Sequence, residues 1–261
     1  MDRRWFLGAA ALCLFAGASM AHAENVLNVG AYPTNPPFET KQPDGSFEGF
    51  EVDVVNEAAK RAGFKTNIAD YGFQALFAAI ASKRIDVAIS SITITPERLK
   101  SVSFTQPYYD SDMGIATKSD SPVKTVADLK GKTVGCLSGS TGEAWVKNNQ
   151  AADGFADVKG YKAYPNMLLD LSAGRVDAVV SDIPGMQYAF KTMPGLTVKD
   201  RIKTGEQYGL MLPKDDPNLQ KLSDAIGSMK TDGTLAAIHK KWFGAEPPAG
   251  SSTVTAAPIP K

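Results

Sequence analysis

Hydroxyls and one cation crowd a short stretch of the chain: Ser90, Ser91, Thr93 and Thr95 are followed by Pro96, Glu97 and Arg98. A guanidinium grips a carboxylate through two parallel hydrogen bonds, so these types at this spacing suit an anion site. Thr95-Pro96-Glu97 reads as a helix start, with Thr as N-cap, Pro at the first helical position and an acid in the first turn. Arg98 then stands where a cation opposes the helix dipole. Either it turns back toward an anion beside the hydroxyls, or it is an exposed arginine paired with Glu97 or a nearby aspartate. Farther along, Ser140-Thr141-Gly142-Glu143 is a capping-box sequence. Such a helix start leaves N–H groups free to bind a carboxylate, and it also serves as a plain cap. Asp182, before Ile183-Pro184, is a third polar position; as a residue type it also fits an ordinary N-cap.

The elements that must hold these groups alternate between strand and helix. Residues 26–30 form an alternating strand, and Pro33, Pro36 and Pro37 stiffen the loop 32–38. Asp44-Gly45 signals a hairpin. A helix follows with Val55, Ala58, Ala59 and Ala62 on one face, ending at Gly63. Residues 64–68 form a strand, 73–80 a helix and 85–89 a buried apolar strand. The middle of the chain repeats this plan, with a strand at 132–135, a helix over about 140–148, a helix through Met167, Leu168 and Leu171, and a strand at 176–180. Lys83-Arg84-Ile85-Asp86-Val87-Ala88-Ile89 and Gly174-Arg175-Val176-Asp177-Ala178-Val179-Val180 match in type and place. Two strand–helix–strand series of one design imply two α/β lobes with mainly parallel sheets. Ligands bind outside the carboxyl ends of such strands, which is where Ser90, Ser91, Thr93, Ser140, Thr141 and Asp182 fall. The last third offers a strand at 208–213 and helices over about 218–229 and 234–243. Residues 246–261, mostly Pro, Ala, Ser and Thr, have little to bury and read as a disordered tail.

Residues 1–23 read as a secretory signal, with Arg3 and Arg4 before an apolar run and a cleavage site after Ala23. Arg3-Arg4-Trp5-Phe6-Leu7 also resembles a twin-arginine export motif, and an ordinary signal fits as well. Leu12 before Cys13 is too bulky for a lipoprotein site. Cleavage leaves 238 residues with 26 Lys and Arg against 27 Asp and Glu, a net charge of −1. That balance gives no argument for nucleic acid or an anionic membrane. One cysteine, Cys136, and one histidine, His239, remain, far apart. The pair excludes an internal disulfide and argues against a zinc site or a Cys/His nucleophile.

With these motifs in place, the chain resembles the polar amino acid (family 3) solute-binding proteins of bacterial ABC importers. Gly49-Phe50-Glu51-Val52-Asp53-Val54 matches the family's signature, and Ile89 to Arg98 matches its hydroxyl-plus-arginine motif. Leu137-Ser138-Gly139-Ser140-Thr141, Ser181-Asp182 and Lys240-Lys241-Trp242-Phe243-Gly244 match as well. The resemblance implies a two-lobed periplasmic-binding-protein fold (type II, Venus flytrap) with a central cleft. Lobe 1 would comprise residues 24–111 and 206–245, and lobe 2 residues 112–205. It also implies roles. Arg98 would clamp a ligand α-carboxylate, with Thr93 and the backbone at Ser91 adding hydrogen bonds and Ser140–Thr141 approaching from the other lobe. Asp182 would take the α-ammonium, helped by the Ser90 region. Phe73 would pack on the ligand side chain, although a core aromatic fits that position too.

The chain departs from its relatives where side chains are read. Asn35 stands where many carry an aromatic, Tyr32 where some binders of basic amino acids carry an acid, and Gly142 where some carry a longer polar residue. Discrimination then falls to Tyr32, Asn35, Phe73 and their neighbours, and Glu51 could add a negative charge. The implied function is periplasmic capture of a polar α-amino acid and delivery to an inner-membrane ABC permease. The protein would act as a monomer, without cofactor, metal or nucleic acid. A lyase of the cyclohexadienyl dehydratase type on the same scaffold, or a periplasmic sensor partner, are the alternatives.

Overall fold

The computed structural model describes residues 25–261; the expected signal segment, residues 1–23, lies outside the described residues. The chain opens with β1 (Val26–Ala31), then a small antiparallel sheet of β2 (Thr34–Asn35), β3 (Glu39–Lys41) and β4 (Phe47–Glu48). Next come α1 (Phe50–Arg61), β5 (Lys65–Asp70), α2 (Phe73–Ala81), β6 (Val87–Ile89), the short α3 (Pro96–Leu99) and β7 (Val102–Phe104). The long β8 (Tyr109–Lys118) leads to β9 (Thr133–Leu137), α4 (Thr141–Asp153), β10 (Asp157–Tyr161), α5 (Tyr164–Ser172), β11 (Ala178–Asp182) and α6 (Ile183–Ala189). β12 (Leu196–Tyr208), β13 (Met211–Pro213), α7 (Leu219–Thr231) and α8 (Thr234–Phe243) complete the set.

Two five-stranded sheets result, in the orders β5-β1-β6-β13-β7 and β10-β9-β11-β8-β12. In each, the strand–helix–strand series supplies three parallel strands. The other strands, β13 with β7 and β8 with β12, add antiparallel neighbours. The repeated aspartate does the same job in both. Asp86 accepts the Asn28 backbone N–H at 2.8 Å, and Asp177 accepts that of Thr133 at 2.8 Å. Each thereby locks the start of a central strand to the strand beside it.

β8 and β12 pair antiparallel over nearly their whole length, with two register shifts. Their Tyr109 and Tyr208 ends stack on each other at 5.6 Å within the apolar cluster of Phe38, Phe50 and Val54 under the first sheet. Farther along, Met113 and Ile115 of β8 belong to a cluster with Val134, Val146 and Val180 under the second sheet. The two strands therefore run from one core into the other. Full burial of aromatics such as Phe50 and Tyr208 contributes about 1.5–3 kcal/mol each. His239, the lone histidine of the mature chain, is buried in this cluster, stacks on Tyr109 and hydrogen-bonds through Nδ1 to the Ala245 carbonyl at 3.0 Å. Cys136 is fully buried, and burial pushes its thiol up to about 12.

The disordered tail expected over 246–261 is a correction: the segment is docked. Ser252 donates its backbone N–H to Asp110 at 2.8 Å and accepts from the Gln207 side chain at 2.7 Å. Thr253 donates to the Tyr108 carbonyl at 3.0 Å. The buried Lys230 ammonium bonds Gln106 Oε1, the Pro107 carbonyl and the Thr255 carbonyl at 2.7–3.0 Å. Apolar content gave no sign of this because directed polar contacts, not burial of hydrocarbon, hold the segment.

Candidate functional site

Where the two sheets present their strand ends to each other, one cavity opens. All ten residues picked from the sequence line it: Tyr32, Asn35, Phe73, Ser90, Ser91, Thr93 and Arg98 from one side, Ser140, Thr141 and Asp182 from the other. On the first side the chain leaves β6 sharply. Ser91 adopts a left-handed conformation (φ 50°), which is costly for a residue with a Cβ. It is held there because its N–H meets Glu51 Oε2 at 2.8 Å. Ser90 Oγ accepts the Tyr32 N–H at 2.8 Å, tying the first loop to the strand end.

Thr95 caps α3, its hydroxyl accepting the Arg98 N–H at 3.2 Å. The Arg98 guanidinium folds back over the Phe77 ring, 5.0 Å from its centroid. It donates to the Thr93 carbonyl at 2.7 Å and, across the cleft, to the Gly139 carbonyl at 3.2 Å. Pairing with Glu97 does not occur, because Glu97 pairs with Lys100. Among the described residues Arg98 has no carboxylate within salt-bridge distance. Burial lowers its pKa, against the opposing charges of Glu206 and Asp182, yet a guanidinium stays charged.

On the second side Ser140 caps α4, accepting the Glu143 N–H at 3.1 Å, while the Glu143 carboxylate accepts the Gly139 N–H at 2.8 Å. The other early N–H groups of this helix have no acceptor within the helix itself. Gly142 has a packing reason: a Cβ there would stand 2.9 Å from the Val180 carbonyl oxygen, so only glycine lets α4 lie this close to β11. Asp182 occupies the N-cap position of α6 but makes no capping bond. It accepts from the Tyr208 hydroxyl at 2.7 Å instead. Burial and then the Glu206 charge push its carboxyl well above the ordinary value, while the Tyr208 bond and Arg98 pull the other way. An ammonium placed here would restore the carboxylate.

Phe73 packs edge-on to Phe77 in the core and also lines the cavity. Glu51, a candidate charge for the cleft, is absent from the lining. It lies behind Ser91, fully buried, and accepts the Tyr108 hydroxyl at 2.6 Å. Beside it Glu39 is fully buried too; burial and then the Glu51 charge raise its carboxyl well above the ordinary value. Glu51 is raised less, because bonds from Glu39, Tyr108 and Ser91 stabilise its charge. Sequence reasoning missed Phe38, Leu137, Tyr164, Ser181 and Gly185 on the wall, which Gly142 also joins. Tyr164 had a signal: it begins α5 as Phe73 begins α2, at matching places in the two series.

Two α/β lobes joined by paired crossing strands, with a polar cavity between their strand ends, define a solute-binding protein of the type II periplasmic fold. The chain belongs to the bacterial extracellular solute-binding proteins, family 3, which match residues 27–245. It is 34% identical over 261 residues to the L-cystine-binding protein TcyJ of Escherichia coli (strain K12), covering 94% of this chain and 97% of that protein. It is 33% identical over 238 residues to the histidine-binding periplasmic protein of Salmonella typhimurium (strain LT2), covering 87% and 91%. Among solved structures, the arginine-, lysine-, histidine-binding protein ArtJ from Geobacillus stearothermophilus aligns with a TM-score of 0.79 at 34% identity, covering 85% of this chain and 97% of that one. These relatives are named as binding proteins. No helix among the described residues is long and apolar enough to cross a membrane.

Proposed function

We propose that the protein captures a polar α-amino acid in the periplasm by closing two lobes on it and hands it to an inner-membrane ABC permease. The carrying observation is the pairing of Arg98 and Asp182 across one cavity. A cation free of carboxylate partners among the described residues faces an acid whose charge needs a cation to stabilise it. A zwitterion with both charges on one carbon answers both. Arg98 clamps the α-carboxylate with Thr93, Ser91 and the start of α4 at Ser140–Thr141, and Asp182 receives the α-ammonium near Ser90. Lobe 1 (24–111 with 206–245) and lobe 2 (112–205) turn about β8 and β12, and a ligand touching both lobes favours the closed state. The protein acts as a monomer, without nucleic acid and without turnover of its ligand, after export and cleavage following Ala23.

Calorimetry on ligand-stripped protein tests the clamp. Saturable one-to-one binding of a free amino acid is expected. Methyl esterification or N-acetylation of that ligand is expected to abolish it. An ester or N-acetyl derivative that binds as tightly as the parent overturns the reading.

A further inference from the structure

The end of the cavity away from Arg98 carries its own chemistry. Asn35 Nδ2 has two protons. One goes to Glu39 Oε1 at 3.0 Å and the other to Ser91 Oγ at 2.9 Å, both within lobe 1. What Asn35 has left is Oδ1, which can only accept. That oxygen would lie 3.7 Å from a Cβ built on Gly185 of the opposite lobe. Tyr164 Oη would lie 3.5 Å from the same point. Tyr164 is 7% exposed, lines the cavity, and its hydroxyl has no hydrogen-bond partner among the described residues. A buried hydroxyl without a partner marks a place where a ligand atom belongs. Gly185 lines the same cavity and leaves that space open.

Resting on the capture reading above, we propose that Asn35 Oδ1 reads the ligand side chain, so that the ligand is an α-amino acid ending in a hydrogen-bond donor (a carboxamide, ammonium, guanidinium or imidazole). A donor atom above Gly185 satisfies Asn35, and Tyr164, able to donate or accept, adapts to it. Ser91 and Tyr32 also line the cavity, and their hydroxyls, which accept from Asn35 and from the Tyr164 N–H, each keep a proton for an acceptor beside the donor, as in a carboxamide. A full carboxylate is not accommodated, because its oxygens would meet the Oδ1 lone pairs with no proton between them. A hydrocarbon end leaves the Asn35 Oδ1 and the buried Tyr164 hydroxyl unpaired, which a polar site penalises heavily. Tyr32 and Asn35 were legible as the places where specificity falls; that the two Asn35 amide protons go to Glu39 and Ser91 was not.

Calorimetry with isosteric ligands tests this on the stripped full-length mature chain. Glutamine is expected to bind at least about 100-fold more tightly than glutamate or methionine, which match it in length. In Asn35→Leu the advantage of glutamine over methionine is expected to fall by about 10-fold or more, with an unchanged far-ultraviolet spectrum. Gly185→Ala adds a methyl at ordinary contact distance from the chain itself, so it folds. It fills the point between Asn35 and Tyr164, and is expected to weaken glutamine by about 10-fold while moving alanine less than threefold. Glutamate or methionine equal to glutamine overturns the assignment, as does a glutamine preference unmoved in both variants. Binding of no α-amino acid at all overturns the capture reading instead.

Discussion

The two lobes carry the same latch and opposite charges. In each, a helix ends, an aspartate locks the next strand to the central one, and the strand stops at a polar crest. At the first crest the chain kinks at Ser91 and ends in Arg98; at the second it runs straight into α6 through Asp182. Scaffold and chemistry are therefore separable. The repeated aspartates hold strands, while Arg98 and Asp182, which do not repeat, carry the charge of the cavity.

The sharpest way to break this comparison is to remove the opposed charges. Arg98→Ala leaves a ligand carboxylate buried without its main partner, at a cost of roughly 2–5 kcal/mol, so calorimetry should find binding weakened by about 30-fold or more. Asp182→Asn keeps a polar oxygen and should weaken binding by about 10- to 100-fold, less than the loss of Arg98. An equal or reversed order would break the asymmetry between the crests.

Gly142→Ala tests the packing of the second crest. The added carbon meets a backbone oxygen that cannot swing aside, and a loss of about 1–3 kcal/mol is expected in denaturant unfolding.

Acidity offers a third test. Glu39 and Asp182 both have folded pKa values raised above their ordinary ones, mainly by burial. The folded state then holds more protons than the unfolded one, and ligand-free stability falls as pH rises from the ordinary carboxylate range toward those raised values. The double variant Glu39→Gln, Asp182→Asn should show a flatter melting temperature across that window. The same slope in both proteins would place the titration elsewhere.

The smallest effect concerns the shared latch. Asp86→Ala and Asp177→Ala should each lose about 0.5–1.5 kcal/mol, and by similar amounts, in parallel unfolding curves. A large disparity would show that the repeat is one of sequence and not of mechanics.

Much of the fold was legible because strand–helix alternation and the Arg-aliphatic-Asp repeat report local pattern. Seven of the cavity residues were legible because hydroxyls, a cation and an acid at strand ends are conspicuous; Tyr32, Asn35 and Phe73 came only from the resemblance to the family. The crossing strands were not. Residues 196–208 read Leu-Thr-Val-Lys-Asp-Arg-Ile-Lys-Thr-Gly-Glu-Gln-Tyr, and most of their side chains are exposed or half-buried. Such a segment becomes a strand only because β8 supplies its hydrogen bonds. The buried acids were hidden for a related reason: nothing local tells Glu39 or Glu206 from a surface glutamate, since their burial comes from distant parts of the chain. Gly142 looked like a missing polar side chain, and only the nearness of β11 explains it.

The docked C-terminal segment has a practical bearing. Through Ser252 it is fastened to Asp110 on β8 and Gln207 on β12, the two strands that join the sheets. A fluorophore or tether fused after Lys261 is therefore coupled to the joining strands and, through Thr255 and Lys230, to α7. Shortening the chain to end at residue 245 removes that coupling, together with the Thr255 carbonyl that helps hold the Lys230 ammonium. Sensors built from the two lengths of chain should differ in how much lobe movement reaches the reporter.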